Sequence, residues 1–425
     1  MPKIAMIGAG SATFGLRTLL ELVSTPSLYG STLMLIDIDK ERLTLMKKVS
    51  ERFNEEFNAK LKIETSLTTK KGLDDMDFAI ISIEKDRMYR WKLDFEIPFK
   101  YGVKQVLGEN GGPGGLSHTL RVIPLVLEVA QDIQDQNKNA LVFNYTNPEA
   151  RVTYALNRYT KLKVIGLCTG IYERIDSFSN FLKINREDID IFAAGLNHFT
   201  WILEFKHRNG KNLYPLLDEK LKEDKNFEPL CRELYRIFGL YPSPSDEHVG
   251  EYISFAWNKV SEEVRGMNWI NYVERRGKEA QENAQLIALG KKSPKSLSPP
   301  FIRGRAVEII GAIIENRKYF VPAVNLPNKG NITNLPRDII VEIPAIVDGS
   351  GAHGLAIGKL PEAISAMLRT QASIQKLSVE AAKEGNKEKA LQALLIDPVI
   401  NDENIAEKIL EELIKIHKDF LPQFH

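Results

Sequence analysis

The fold of this chain is decided by residues 3–23, which read KIAMIGAGSATFGLRTLLELV. The apolar start predicts a buried strand, and the leucines that recur with helical spacing after the glycines predict an amphipathic helix. Gly8 and Gly10 match the first two glycines of the dinucleotide fingerprint, which permit a tight turn and a close approach of a pyrophosphate. Thr13 occupies the position of the third glycine, so the strict pattern fails. Ser11 and the amides that follow it can still form an anion site at the helix N-terminus.

The segments that follow continue this pattern of strands and helices. TLMLIDID, residues 32–39, predicts a second strand that ends at Asp37, an acid that can bind ribose hydroxyls and favours NAD over the 2′-phosphorylated cofactor. Residues 76–83, 139–148 and 163–168 predict later strands with helices between them. A doubly wound domain can carry a glycine turn without binding a cofactor. The order of strand, turn, helix and acid favours a dinucleotide site.

The length of 425 residues exceeds one average domain, so we expect two closely packed lobes. The predicted fold class is α/β, with a doubly wound Rossmann-type NAD domain over residues 1–195. A mixed α+β domain for substrate, metal and oligomerisation is predicted over residues 196–425. In this second domain DIIVEIPAIV, residues 338–347, predicts an antiparallel strand.

The composition describes an ordinary globular protein, with 43% apolar and 27% charged residues. Because 57 basic residues nearly balance 56 acidic ones, neither nucleic acid nor an anionic membrane is expected as the main partner. The N-terminal residues MPKIAMIGAG lead directly into a strand and do not resemble a signal peptide. Two cysteines are too few for a disulfide framework, so we expect the cytoplasm.

Two residues that could bind a metal interrupt or end apolar segments. Cys168 ends the strand KVIGLC, and His198 follows the apolar run IFAAGLN. A lone buried cysteine is more often inert, and a lone histidine in such a run is more often a hydrogen-bonded structural group. A thiolate and an imidazole would suit a transition metal if the fold brought them together.

Two glycine- or proline-rich corners are candidates for ligand binding. Asn147 precedes Pro148 where a strand ends and a helix begins, which is either an ordinary turn or a ligand corner of an open sheet. The glycine run from Gly111 to Gly115 precedes a helix predicted to start near Leu116. This run is either a flexible loop capped by Ser117 or a segment whose amides approach a ligand closely.

The segment PSPSDEHVGEY, residues 242–252, groups several titratable side chains. Ser245 as an N-cap with Asp246 and Glu247 in the first turn is a sufficient structural explanation for the acids. It does not explain His248, whose charged form is disfavoured at a helix N-terminus. A neutral imidazole there is a candidate general base.

These features occur together in one known family. The motifs MIGAGSATFG, LIDID, GGPGGLSHTLRVIP, NYTNP, GLC, AAGLNHF, NKGNITNLPRDIIVEIPAIVD and LLIDPVI, in this order over nearly the whole chain, resemble the family four glycoside hydrolases. The resemblance implies dependence on NAD and on manganese and an exception to the usual two-carboxylate mechanism of glycosidases. It also implies an overall fold like that of lactate and malate dehydrogenases.

The resemblance assigns roles to individual residues. Cys168 and His198 match the metal ligands of the family, and Asn147 matches the substrate-binding asparagine of the Asn-Pro corner. His248 falls where phospho-glycosidase members carry a tyrosine base, and Tyr252, one turn later, is the alternative base.

Two departures from the family pattern bear on the substrate and on the leaving-group acid. Trp91, with Arg90 beside it, occupies the position of an arginine that reads the 6-phosphate in phospho-sugar members, so we expect Trp91 to bind an unphosphorylated sugar. Thr169 follows Cys168 where many α-specific members carry Asp or His. Glu109 or a metal-bound water is then the candidate acid.

The reaction that the resemblance implies leaves the NAD unchanged overall. C3 of the sugar is oxidised, C2 is deprotonated, the aglycone is eliminated, water adds, and C3 is reduced again. We expect hydrolysis of unphosphorylated α-glycosides, with α-galactosides favoured, by a homodimer or homotetramer. The alternatives are a 6-phospho-glycosidase of the same family, an NAD-dependent 2-hydroxy-acid dehydrogenase, and a non-catalytic nucleotide sensor.

Overall fold

The first half of the chain builds a parallel sheet from short apolar strands. In this computed structural model, residues 1–297 and 306–424 are described. The first six strands are β1 Lys3–Ile7, β2 Thr32–Ile36, β3 Lys62–Ser66, β4 Phe78–Ile81, β5 Leu141–Asn144 and β6 Lys163–Gly166. All pair in parallel in the order β3-β2-β1-β4-β5-β6, which is the strand order of a Rossmann domain. The predicted doubly wound sheet is therefore confirmed. The sequence prediction missed β3 because this edge strand is polar and half-exposed.

Helices connect these strands. They are α1 Ala12–Val23, α2 Lys40–Phe57, α3 Arg87–Lys100, α4 Gly112–Asn137, α5 Glu149–Tyr159 and α6 Gly170–Leu182. Helix α4 begins at Gly112, so the start predicted near Leu116 is wrong: the glycines form its first turn. Ser117 does not cap this helix, because its Oγ accepts a hydrogen bond from Arg121 at 2.8 Å.

The glycines at the start of α4 are required by the protein's own backbone. A Cβ on Gly114 would lie 2.4 Å from the carbonyl oxygen of Gly108, and one on Gly115 would lie 2.5 Å from the carbonyl carbon of Asn110. The loop before the helix is thus folded against its first turn. The close approach that the sequence suggested for a ligand is made here by a neighbouring loop.

The second half of the chain extends the same sheet with antiparallel strands. They are β7 Ile189–Leu196, β8 Phe199–His207, β9 Tyr241–Ser243, β10 Tyr319–Pro327, β11 Ile340–Asp348 and β12 Gly351–Gly354. Strand β10 pairs with β6, and β11 then pairs with β10, β7 and β12. The prediction that residues 338–347 contain an antiparallel strand is confirmed.

The remaining helices cover this extension and return to the first half. They are α7 Tyr214–Glu223, α8 Pro229–Phe238, α9 Asp246–Val249, α10 Gly266–Ala288, α11 Ala306–Ile314, α12 Glu362–Glu384, α13 Lys387–Leu395 and α14 Glu403–Ile416. Helix α12 packs on α4 and α5, and one apolar core joins the parallel sheet to the C-terminal helices. The boundary predicted at residue 195 falls inside β7, in the sheet that both halves share. The division into two domains stays a prediction.

None of the helices in the described ranges is both long enough and apolar enough to cross a membrane.

Candidate functional site

The glycine turn after β1 brings the backbone close to two neighbouring strands. Gly8 has a φ of +86°, and a Cβ on it would lie 1.9 Å from the carbonyl oxygen of Ser82. A Cβ on Gly10 would lie 2.7 Å from Oδ2 of Asp37. Only glycine fits both positions without displacing its neighbours. Ser11 is the N-cap of α1, with its Oγ 3.5 Å from the amide of Phe14.

The Asp37 carboxylate is fixed at the end of β2. Its Oδ2 accepts a hydrogen bond from the amide of Gly10 at 2.7 Å, and its Oδ1 accepts one from the amide of Asp39 at 2.9 Å. The acid and the glycine turn therefore form one unit, as the fingerprint predicts. The backbone of Thr13 lies in α1, and its side chain is outside the described part of the chain.

A cavity of about 870 Å³ opens beside this unit at the carboxyl ends of β1, β2, β4 and β5. Its lining residues include Gly8, Gly10, Ser11, Asp37, Glu84, Arg87, Asn147 and Phe420. The position agrees with the rule that ligands of open α/β sheets bind outside the carboxyl ends of the strands.

Asn147 lies between this cavity and a second group of polar residues. The peptide bond from Asn147 to Pro148 is cis. Asn147 lines the cavity, and its side-chain Nδ2 donates to Oε1 of Glu109 at 3.1 Å. Arg87 forms an ion pair with the same carboxylate oxygen. Asn147 and Glu109, which were predicted as substrate-binding and catalytic residues, are thus in direct contact.

Two further side chains, His118 and Glu84, contact Glu109 and Arg87. The Nε2 atom of His118 lies 3.1 Å from Glu84 Oε1, and its Nδ1 lies 2.9 Å from the carbonyl oxygen of Glu109. Arg87 lies 3.6 Å from Glu84. Burial raises the pKa of Glu84, but the nearby His118 and Arg87 outweigh burial, so the pKa lies below its usual value.

His198 lies at a tight turn between two strands. Residues 197 and 198 join β7 to β8, and His198 has a φ of +60°, which is uncommon for a residue other than glycine. Its Nδ1 lies 3.3 Å from Nδ2 of Asn110. Burial, together with His248, holds the pKa of His198 well below its usual value, so the ring is neutral.

His248 stands beside His198. The centroids of the two rings are 4.3 Å apart, and the ring of Trp269 contacts His248 edge-on at 5.8 Å. The Nδ1 atom of His248 is buried and has no hydrogen-bond partner. The structure therefore brings together the predicted metal-binding histidine and the predicted base.

The helix start predicted near His248 is confirmed in its placement, because Ser245 is the N-cap residue of α9 and Asp246 and Glu247 lie in its first turn, but the capping bond is absent. Ser245 makes no capping hydrogen bond, and its Oγ donates instead to Glu247 at 2.7 Å. The Asp246 carboxylate caps another helix, α8, by accepting from the amides of Leu230 at 3.0 Å and Cys231 at 2.7 Å. The sequence cannot show this because the two helix starts are joined only in the fold.

Cys168 is two residues beyond β6, and it is a free thiol. The amide of Gly170 donates a hydrogen bond to the Cys168 sulfur at 3.4 Å. Nδ2 of Asn197, the neighbour of His198, donates to Glu342 Oε2 at 2.7 Å. Burial and the negative charge of Glu342 raise the pKa of the Cys168 thiol well above its usual value.

Tyr252 is buried and stacks on Phe199, with ring centroids 5.2 Å apart. Burial and Glu251 raise its pKa well above the usual value, while the buried Arg151 acts in the opposite direction.

Glu251 is a site residue whose role could not be predicted from the sequence. Its Oε1 accepts hydrogen bonds from the amides of Glu109 at 2.8 Å and Asn110 at 3.0 Å. Burial and Glu109 raise the pKa of Glu251 to about 7. The acids make residues 242–252 recognisable as a candidate segment. The contact of Glu251 with Glu109 and Asn110 joins residues more than 140 positions apart, so it has no local signal in the sequence.

Trp91 lies in α3 with its side chain 3% exposed. Its Nε1 donates to the carbonyl oxygen of Leu107 at 3.0 Å, so this donor is used within the protein. The guanidinium of Arg87 lies over the indole ring at 5.2 Å. Arg87, which the sequence prediction overlooked, stands between Trp91 and Glu109.

Comparison with known proteins agrees with this arrangement. The model of the family 4 glycosyl hydrolases matches residues 3–183, and the model of the C-terminal domain of that family matches residues 193–400. An α-glucosidase of Erwinia rhapontici is 31% identical, with 99% of this chain and 98% of the relative covered. An α-galactosidase of Bacillus subtilis is 32% identical, and both chains are covered completely.

Solved structures support the fold. A 6-phospho-α-glucosidase from gut microorganisms, in complex with NAD and Mn²⁺, superposes with a TM-score of 0.84 at 23% identity and complete coverage of both chains. The malate dehydrogenase of Plasmodium falciparum superposes with a TM-score of 0.50 at 15% identity, over 93% of this chain and all of the other. The predicted dehydrogenase-like fold is confirmed. The chain belongs to the family 4 glycosyl hydrolases.

Proposed function

We propose that this family 4 member is an NAD- and Mn²⁺-dependent glycosidase that cleaves unphosphorylated α-glycosides, with α-galactosides favoured. The observation that carries the proposal is the position of Asn147. This residue lines the cavity beside the glycine turn, and its side chain hydrogen-bonds to Glu109. A sugar bound at Asn147 would therefore lie between a dinucleotide site and the group of Glu109, His198 and His248.

The residues around the cavity suit NAD. Gly8 and Gly10 leave no room for side chains where the backbone must approach a pyrophosphate. The anchored Asp37 carboxylate would repel a 2′-phosphate and accept hydrogen bonds from ribose hydroxyls. Gly8, Gly10, Ser11, Thr13 and Asp37 are the residues that we propose to hold the cofactor.

Cys168 and His198 suit a divalent transition metal. A neutral imidazole and a thiolate are ligands for such ions. Metal binding would favour the thiolate of Cys168, whose formation burial otherwise opposes. When bound, NAD would supply a hydride acceptor and donor, and Mn²⁺ would supply a Lewis acid.

The proposed reaction is redox-neutral. The C3 hydroxyl of the sugar is oxidised to a ketone, which acidifies the proton on C2. Removal of this proton expels the aglycone from C1, and the aglycone oxygen takes up a proton. Water then adds across C1 and C2, and C3 is reduced to the hydroxyl by the hydride that it gave up.

The roles of the base and the acid fall to different residues. His248 is the proposed base for the C2 proton, because its Nδ1 has no hydrogen-bond partner and its ring lies next to that of His198. Tyr252, which is buried against Phe199 in the same segment of the chain, is the alternative. Glu109, in contact with Asn147, is the proposed acid for the aglycone, with a metal-bound water as the alternative.

The surroundings of Trp91 favour a sugar without a 6-phosphate. Arg87 forms ion pairs with Glu109 and Glu84. The guanidinium of Arg90 lies over the ring of Phe420, 4.3 Å from its centroid. The Arg87 guanidinium is paired with carboxylates, and Trp91, which is buried and does not line the cavity, supplies no charge for a phosphate.

A panel of nitrophenyl glycosides tests this proposal. With NAD, Mn²⁺ and a reductant present, we expect turnover of the α-galactoside, loss of turnover in EDTA, and no preference for 6-phosphorylated sugars. Turnover of 6-phosphorylated glycosides alone would contradict the substrate assignment and favour the 6-phospho-glycosidase alternative.

We further propose a homodimer or homotetramer in a reducing cytoplasm, where Cys168 stays a free thiol. Light scattering of the purified protein, expected to give two or four times the mass of 48.1 kDa, tests the assembly.

A further inference from the structure

The contact between Asn110 and His198 bears on which nitrogen of the imidazole can bind a metal. Both side chains are buried, and the amide Nδ2 lies 3.3 Å from the ring Nδ1. The other amide atom, Oδ1 of Asn110, is buried without a hydrogen-bond partner. A neutral imidazole carries its single proton on one ring nitrogen and accepts at the other. The hydrogen-bond partner at Nδ1 therefore decides whether Nε2 carries the proton or a free lone pair.

The two orientations of the Asn110 amide have opposite consequences. If Nδ2 donates to Nδ1, the proton of the ring is on Nε2, which then has no lone pair for a metal. A rotation of the amide by 180° exchanges its oxygen and nitrogen, which ordinary coordinates hardly distinguish. Oδ1 then accepts from Nδ1–H, and the lone pair of Nε2 is free.

We propose that Asn110 is a positioning residue that holds His198 in the Nδ1–H tautomer and so makes Nε2 the metal-binding nitrogen. The proposal rests on the proposed function, in which His198 is a ligand of Mn²⁺. Histidine ligands commonly donate their second N–H to a carboxylate, a carbonyl or a water. Asn110 would provide a side-chain carbonyl for this purpose.

The backbone around Asn110 is built to hold this side chain. Glu251 accepts hydrogen bonds from the amides of Glu109 and Asn110, and the first turn of α4 packs against the same loop. A larger residue at Gly115 would collide with the Asn110 carbonyl. A ligand orientation fixed by a rigid supporting shell is what a preorganised metal site requires.

The second proposed ligand is contacted by the backbone, because the amide of Gly170 donates to the Cys168 sulfur at 3.4 Å. Asn197, the neighbour of His198, donates to Glu342 Oε2 at 2.7 Å. Asn110 differs in that its amide orientation selects a tautomer.

The test is the affinity for Mn²⁺ of the NAD-saturated protein, measured by electron paramagnetic resonance titration. Asn110→Leu keeps the size of the side chain but removes the acceptor, so its Mn²⁺ affinity should fall roughly 10- to 100-fold. Asn110→Asp should keep or improve the affinity, because a carboxylate accepts the same Nδ1–H. Asn157→Leu removes a half-buried amide on α5 that donates to Thr153 and should bind Mn²⁺ like the wild type.

Three results would overturn the proposal. The first is wild-type Mn²⁺ affinity in Asn110→Leu while His198→Ala loses the metal, which leaves the proposed function intact. The second is an equal loss of affinity in Asn110→Leu and Asn110→Asp. The third, unchanged Mn²⁺ binding in His198→Ala, would reject the metal site itself. NAD affinity should stay at the wild-type value in the Asn110 variants.

A measurement on the wild type does not depend on the folding of any variant. Nitrogen-15 spectra of histidine-labelled, metal-free protein report which ring nitrogen of His198 carries the proton, with His198→Ala used for assignment. We expect the proton on Nδ1. A proton on Nε2 would overturn the proposal.

Discussion

The imidazole ring of His248 lies beside that of His198, with the ring centroids 4.3 Å apart. A base at this position is close to a metal held by His198, where the acidified C2 proton of a bound sugar would lie. We predict that His248→Ala loses turnover and the exchange of the C2 proton with deuterated water. Hydride transfer at C3, followed by the absorbance of NADH, should persist in this variant.

Tyr252→Phe is the matched comparison for the base. The Tyr252 ring stacks on Phe199 and would be kept, so that only the hydroxyl is removed. We expect C2 exchange to persist in this variant. Normal exchange in His248→Ala, together with loss in Tyr252→Phe, would transfer the role to Tyr252.

The Cys168 thiol is predicted to be required for metal-dependent turnover but not for NAD binding. Cys168→Ser replaces an ionisable thiol with a hydroxyl that keeps its proton and binds a metal weakly, so Mn²⁺-dependent turnover should be abolished. NAD affinity by calorimetry should be largely unchanged. Cys231→Ala removes the other free thiol, which is buried at the start of α8, and should keep the metal requirement. Full wild-type activity in EDTA would count decisively against the metal site.

Asp37 is predicted to account for much of the affinity for NAD. Asp37→Ala removes a carboxylate that is fixed by the amides of Gly10 and Asp39. The loss of a charged hydrogen bond of about 1.5–3 kcal/mol should weaken NAD binding roughly 10- to 100-fold. Asp402→Ala removes the N-cap of α14 and is the control, with an expected loss of stability but no change in NAD affinity. Equal NAD affinities in wild type and Asp37→Ala would contradict the assignment.

Glu149 is predicted to make stability depend on pH. It is buried, and burial and Glu342 raise its pKa to about 8, although Thr153 Oγ1 donates to it at 2.6 Å. Since the folded state keeps a proton that the unfolded state releases above pH 4.5, the protein loses stability as pH rises toward 8.

Glu149→Gln is neutral at every pH and should not show this loss. The unfolding free energy of the variant minus that of the wild type should grow between pH 5 and pH 9, by at most roughly 1.4 kcal/mol per pH unit. Urea unfolding at both pH values measures it, with the exposed Glu282→Gln as control. A difference that does not change with pH would show that Glu149 ionises normally in the folded state.

The parts of the fold that depend on local patterns could be predicted from the sequence. The turn at Gly8 and Gly10, the end of β2 at Asp37 and the strand before Cys168 are set by short apolar runs and glycines. The polar edge strand β3 was missed because its residues are half-exposed and carry no apolar pattern. The pairing of β10 with β6 and of β11 with β7, which extends the sheet, also has no local signal, because strand pairing is decided by the whole fold.

The candidate site shows the same division. His198 and Asn197 were visible as polar residues in an apolar run, and the fold places them at a two-residue turn. The contacts of Glu251 with the glycine loop could not be foreseen, because they join residues that are far apart in sequence. The glycines of α4 stand out in the sequence, but the reason for them is steric contact with the neighbouring loop, which only the fold reveals.

The central claim is that hydrolysis proceeds through removal of the C2 proton from an oxidised sugar, and one measurement tests it directly. Wild-type protein with NAD and Mn²⁺ is incubated with 4-nitrophenyl α-galactoside in deuterated water, and the released sugar is analysed by proton NMR. We predict deuterium at C2 of the product and no net formation of NADH. A product with only protium at C2, formed equally well without NAD and in EDTA, would contradict the account.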